Sequence, residues 1–204
     1  MKNLYVGRSR KTQDGKRIWD KKHCCLYCCK QYSKIARHLE QVHGTELEVQ
    51  KALSYNKKSN ERKAAWRDLM NRGDFANNME VLEKGEGQII PFKRPNVDTQ
   101  VKATDYIQCS NCLGTFLRHD LWRHAKNCKH HKNSGKKSKF CHQVASAALL
   151  PMSPSANKTF RENILGTLAN DDVSFVARTD ADIVEFGEKL YQKRARNPHQ
   201  HQYI

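Results

Sequence analysis

Two groups of cysteine and histidine in this chain have residue types and spacing suited to holding a metal ion. The first is Cys25, Cys28, His38 and His43, a C-x2-C-x9-H-x4-H pattern. The second is Cys109, Cys112, His124 and Cys128, C-x2-C-x11-H-x3-C. Two thiolates with two residues between them on a tight turn can both reach one tetrahedral Zn²⁺ at about 2.3 Å. His124 and Cys128 are four apart, so on a helix they share one face, a turn apart. Each set supplies four protein donors, which closes the coordination sphere and leaves no position for an activated water. Two structural Zn²⁺ ions are therefore the expected cofactors.

The first set leaves its register open. Cys24 with Cys28, or Cys25 with Cys29, would form C-x3-C pairs that zinc also tolerates. Cys25 with Cys28 is favoured, because the two-residue turn is commonest and it keeps Tyr32 correctly spaced as a core aromatic. Cys24 and Cys29 are then small, partly buried residues. Cys141–His142, with His130 and His131 upstream, reads as an ordinary pair, and His199 and His201 as solvated tail residues.

The elements around these donors follow from periodicity. Ser33 to Val42 can form the helix of the first unit, with Tyr32 and Ile35 facing inward, and Phe116 and Leu121 give the second unit a miniature core. The fold class expected is mostly α with two small zinc-stabilised ββα-like fingers, in several units and partly disordered. The divisions are a basic flexible arm at 1–23, finger one at 24–44, a helical insert at 45–84 and a linker at 85–105. Finger two follows at 106–128, then a basic linker at 129–139, a helical region at 140–195 and a tail at 196–204. In the insert, Ser59 or Asn60 is expected to cap the middle helix and Gly73 to stop it, and Trp66, Leu69, Phe75 and Leu82 need a partner such as finger one. In the helical region Asp171 or Asp172, and Thr179, are expected N-caps. The tail carries no stop signal or core pattern, as in a chain that was once longer.

Composition limits the function classes. Only 38% of the 204 residues are hydrophobic and 28% are charged, so a single large core is not expected. The net charge of +16 favours a polyanion, nucleic acid before an anionic membrane surface. No stretch approaches the ~20 apolar residues of a membrane span, and the basic N-terminus lacks the apolar core of a secretory signal. P-loop, GxSxG, HExxH and zinc-deaminase patterns are all missing, so neither catalysis nor a small-molecule substrate is expected.

The binding residues expected lie on the exposed start and face of each finger helix: Gln31, Lys34 and Arg37 in the first, Arg118, Asp120 and Arg123 in the second. Lys and Arg suit guanine edges or phosphates, and Asp can accept from cytosine. Arg8, Arg10, Lys11, Lys136, Lys137 and Lys139 would add phosphate contacts. Double-stranded DNA is the expected partner and the nucleus the expected location. A protein partner is the alternative, because a solvated helix face carries Lys and Arg anyway and the fingers are too far apart to track one groove in tandem.

The motifs at 25–43 and 109–128 resemble two-Cys, two-His zinc fingers, the second with its last ligand exchanged for Cys. The inner loop of about 12 residues in that family is 11 in the second finger and about three residues shorter in the first. More widely, the runs WDKKHCCLYC, IARHLEQVH, GDFANNMEVL, CLGTFLRHDLWRHAKNC and VARTDADIVEFGEKLYQKR resemble animal proteins with paired atypical fingers ahead of a helical region. That region is similar to the N-terminal part of transposon-derived tyrosine recombinases. The resemblance implies DNA targeting in a remnant of a mobile element. The Arg, His-x-x-Arg and nucleophilic Tyr of such enzymes cannot be assembled here, and Tyr203 follows no such motif.

Overall fold

A computed structural model describes residues 3–130, 139–147, 149–169, 171–194, 199 and 204. The basic linker with Lys136 and Lys137, most of the tail with His201 and Tyr203, and His131 lie outside the described residues, as do the side chains of Lys139 and Cys141. Among the described residues helices predominate, accompanied by three two-stranded sheets.

Each Cys/His group sits in a hairpin followed by a helix. In the first, β2 (His23–Cys24) pairs antiparallel with β3 (Gln31–Tyr32), and α1 (Ile35–Val42) follows. In the second, β5 (Tyr106–Gln108) pairs antiparallel with β6 (Thr115–Leu117), and α4 (Leu121–Asn127) follows. Between them come α2 (Leu47–Ser54), α3 (Asn60–Lys84) and β4 (Glu86–Ile89).

The 25-residue α3 is the organising element. Ser59 caps its start by accepting from the Arg62 backbone N–H at 3.1 Å. Gly85, left-handed at φ 72°, ends it. Gly73 does not stop the helix as expected; it is buried inside it. Its missing side chain admits another backbone, because a Cβ there would overlap the Cys24 carbonyl and lie 3.0 Å from the Leu26 nitrogen. Leu69, Trp66 and Met70 pack with Cys25, Ile35, Leu39 and Val49, so α3 and α2 complete the core of finger one. Farther along, Leu82 joins Ile89, Ile107 and Leu121 in the core of finger two. The insert thus packs on both fingers, on finger two as well as on the expected finger one.

The polar residues of α3 make the remaining joints. Asn78 is fully buried; its amide donates to the Ile90 carbonyl and to Thr115 Oγ1, both at 3.0 Å, and its oxygen accepts from the Ile90 N–H at 2.8 Å. The beginning of the expected 85–105 linker is therefore part of the fold. The expected flexible arm is folded as well. β1 (Asn3–Val6) pairs parallel with β4, and Leu4 and Val6 pack on the finger-two core. Beyond it the Ser9 N–H donates to the Pro95 carbonyl at 2.9 Å. Asp20 is clamped by Arg94 and Arg10, whose hydrogen bonds hold its carboxyl down to about 2.

The C-terminal region comprises α5 (Lys139–Ala147), α6 (Lys158–Asn163), α7 (Asp172–Thr179) and α8 (Ala181–Arg194). Its core holds Phe160, Ile164, Leu165, Val184 and Tyr191. Asp171 caps α7, accepting from the Ser174 N–H at 2.8 Å. Asp180, not Thr179, caps α8, because Thr179 ends α7 and donates its hydroxyl to the Phe175 carbonyl. The buried Arg178 donates to the carbonyls of Leu165, Leu168 and Ala169, which ties α7 to the turn before it. No described helix is long and apolar enough to cross a membrane.

Candidate metal centres

The two Cys-x-x-Cys turns have the same backbone. The Cys25 N–H donates to the Lys30 carbonyl at 2.9 Å, and the Cys29 N–H returns to the Cys25 carbonyl at 3.0 Å. In finger two the Cys109 N–H donates to the Gly114 carbonyl at 2.8 Å, and the Leu113 N–H returns to Cys109 at 2.9 Å. The residue after the second cysteine is left-handed in both, Cys29 at φ 56° and Leu113 at φ 58°. This tight fold turns both thiols of each pair to one side.

The helices bring up the other donors. Cys25, Cys28, His38 and His43 place their ligand atoms within 4.8 Å of one another, and so do Cys109, Cys112, His124 and Cys128. The Cys28 sulfur lies 3.4 Å from His38 Nε2, and the Cys112 sulfur 3.3 Å from His124 Nε2. Tetrahedral zinc bonds of about 2.3 Å to sulfur and about 2.0–2.1 Å to nitrogen would set such pairs about 3.6 Å apart, close to these separations. Stacking fixes the imidazoles: Tyr32 lies on His38 at 3.7 Å between ring centres, and Phe116 on His124 at 3.8 Å. The apolar residues expected as miniature cores thus also orient the clustered imidazoles.

In the first group the clustered cysteines are Cys25 and Cys28. Cys24 is buried outside the cluster; burial pushes its thiol up to about 12, and its N–H donates to Asp74 Oδ1 at 2.9 Å. Cys29 is exposed and supplies the left-handed turn position.

Both groups have the chemistry of cation sites. His43 Nε2 is buried and has no hydrogen-bond partner among the described residues. In the second group, the hydrogen bond with Cys112 holds the Cys109 thiol well below the ordinary thiol range, and that same bond together with burial pushes Cys112 up. Buried thiols this close cannot all be ionised without a cation among them, and a bound metal removes that conflict. Protons compete for the same lone pairs, so metal retention should be complete at pH 7 and lost as pH falls through roughly 6 to 4. Dialysis across that range followed by elemental analysis checks this; metal still fully bound at the acid end would contradict a thiolate–imidazole site.

Sequence reasoning missed the residues that hold the centres on α3. Asn71 donates to the Cys112 carbonyl at 3.0 Å. Asp74 accepts from the Cys24 N–H and holds His23 Nδ1 at 2.7 Å. Their Asn71–Asp74–Asn78 spacing is that of one helix face, which was the available signal.

The six residues expected to face nucleic acid are placed unequally. Lys34 and Arg37 are exposed at the start of α1 and on its face, and Arg123 is 68% exposed on α4. Gln31 donates to Asn77 of α3 at 3.2 Å. Asp120 is paired with Arg123 at 3.1 Å, so neither stands alone. Arg118 does not point outward. Its carbonyl accepts from Gln143 of α5, one guanidinium nitrogen is buried, and burial lowers its pKa. The helical region after finger two covers it.

In comparisons with known proteins, no family model, no curated protein and no solved structure matches the chain.

Proposed function

We propose that this chain is a zinc protein without catalytic activity that binds nucleic acid, double-stranded DNA first, in the nucleus. The observation that carries the reading is the pairing of two closed four-donor groups with helices whose outer faces bear exposed cations. Lys34 immediately precedes α1 and Arg37 lies on it, and Arg123 and Lys126 lie on α4, in a chain of net charge +16. Zn²⁺ is the ion proposed for both groups, because mixed thiolate and imidazole donors in four-coordinate sets suit it best. It would supply fixed backbone geometry rather than a reacting centre. A role as the targeting remnant of a mobile-element recombinase is consistent with this reading.

Changing Arg37→Ala together with Arg123→Ala tests it. Both side chains are exposed, so the fold should persist. Duplex affinity should fall about tenfold, and the slope of log K against log salt should flatten by about 1.8 if both contact phosphate. Fluorescence anisotropy with a labelled duplex across a salt series reads both quantities. Unchanged affinity and slope would move the function to the second reading, a protein-interaction adaptor. That reading is favoured by the exposed Val173, Val176, Ile183 and Phe186 on α7 and α8.

A further inference from the structure

Beside finger one, along α3 and residues 92–94, lies a cleft of about 330 Å³ lined by none of the eight clustered Cys/His side chains. Among the described residues Arg17, Lys21, Arg67, Lys93 and Arg94 line it, and no carboxylate does. Trp19 stands at its side, 83% exposed, with the Arg17 guanidinium 5.0 Å from the ring centre. Phe92 lies between it and a second hollow of about 310 Å³, into which Cys112, His124 and Cys128 of the second Cys/His group open. There Lys63 and Lys129 add two more cations, again with no carboxylate among the described lining residues. Arg67, Asn71 and Phe92 border both, so the trench beside Trp19 and this hollow adjoin along α3.

The charges in this trench are only partly compensated. Arg94 is held by Asp20 behind the cleft, yet its Nε–H is buried without a partner among the described residues. Lys21 donates to the Phe92 carbonyl at 3.1 Å. Burial pushes its pKa down to about 8; Asp74 opposes the shift, while Arg94 and Arg17 add to it. An anion along the trench would complement Lys21 and the exposed Lys93 and Arg67. Phosphate alone gives no use for an open indole face, whereas an unpaired base stacks on one. In a duplex the base faces are already covered.

We propose that this trench binds an unpaired nucleic-acid strand, with one base stacked on Trp19 and the phosphates following Lys21, Lys93, Arg67 and Lys63. It rests on the nucleic-acid reading above but uses a different surface and a different form of the polymer.

The experiment measures the affinity of the full zinc-loaded chain for labelled oligo-dT and oligo-U of about 12 nucleotides, within the span one such site covers, and for a duplex, at physiological salt. Trp19 and Arg67 are both exposed, so Trp19→Ala with Arg67→Ala should leave the helical content intact. Single-strand affinity should fall on the order of 10- to 100-fold, while duplex affinity changes less than about twofold. With Arg67 unaltered, Trp19→Phe should keep most of the affinity that Trp19→Ala alone loses, since it restores a stacking face. Arg37→Ala with Arg123→Ala should show the reverse pattern. Single-strand affinity unchanged by the trench pair, or equally weakened by Trp19→Phe and Trp19→Ala, would overturn the proposal while leaving duplex binding standing. Loss of neither polymer on any variant, or no binding of either, would overturn the nucleic-acid reading itself.

Discussion

Replacing Cys112 with serine is expected to unfold finger two and to loosen the second half of α3 with it. The donor set drops to three strong ligands. Structural zinc contributes on the order of 10–16 kcal/mol of apparent binding free energy in isolated fingers, comparable with the entire ~5–15 kcal/mol stability of a domain. Its own core is small: Ile107, Leu121 and Ala125 are its buried aliphatics, and the first two share one core with Leu82 and Ile89. When the Cys109–Cys112 turn opens, Asn71 loses the Cys112 carbonyl and Leu82 loses its cover. The expected result is loss of the metal from this group alone, with a lowered helical signal in circular dichroism. Chelator added to the unaltered protein should reproduce and exceed the change. A variant with unaltered helicity and melting would mean that packing, not metal, sustains finger two.

The second large effect has an unusual sign. Gly73→Ala in the interior of a helix ordinarily stabilises by about 1 kcal/mol. Here the new methyl would overlap the Cys24 carbonyl and press on the Leu26 nitrogen, both backbone atoms that have no rotamer to give way. The hairpin of finger one must lift off α3, which breaks the Asp74 bonds to the Cys24 N–H and to His23 and opens the core around Leu69. A loss of about 3 kcal/mol or more is expected, in the range of overpacked cores and beyond. Ser-capped α3 itself should stay helical. Chemical denaturation reads the difference, with Glu80→Ala on the exposed side of the same helix as the control. That control gives up one exposed pair with Lys84 and should cost no more than about 0.5 kcal/mol. A stabilised Gly73→Ala would show that the hairpin does not dock there.

The donor sets were legible in the sequence because their chemistry is local. A two-residue spacing between thiols and a one-turn spacing on a helix are properties of short segments, and the structure brings all eight expected ligand residues into two clusters. Tyr32, Ile35, Phe116 and Leu121 were legible for the same reason. What joined the pieces was not. Asn71, Asp74 and Asn78 sit among charged neighbours and read as a solvent face, whereas their partners are 41, 50 and 37 residues away. Gly73 read as a stop, because nothing nearby announces that a distant carbonyl needs its space. Leu4 and Val6 are too short a run to distinguish from an arm, and their partner is a parallel strand that follows finger one and α3 in the chain. Arg118 was read from the finger alone, and α5, which covers it, lies beyond the basic linker.

The attachment of both hairpins to one stretch of α3 makes that helix a protractor. Asn71 grips one centre and Asp74 the other, less than a turn apart, so the bearing between the fingers is set by helical phase and not by the length of chain that links them. Lengthening the loop around residues 96–100 would leave that bearing untouched. A single residue inserted between Asn71 and Asp74 would advance one centre by only about 1.5 Å but swing it by about 100° around the axis.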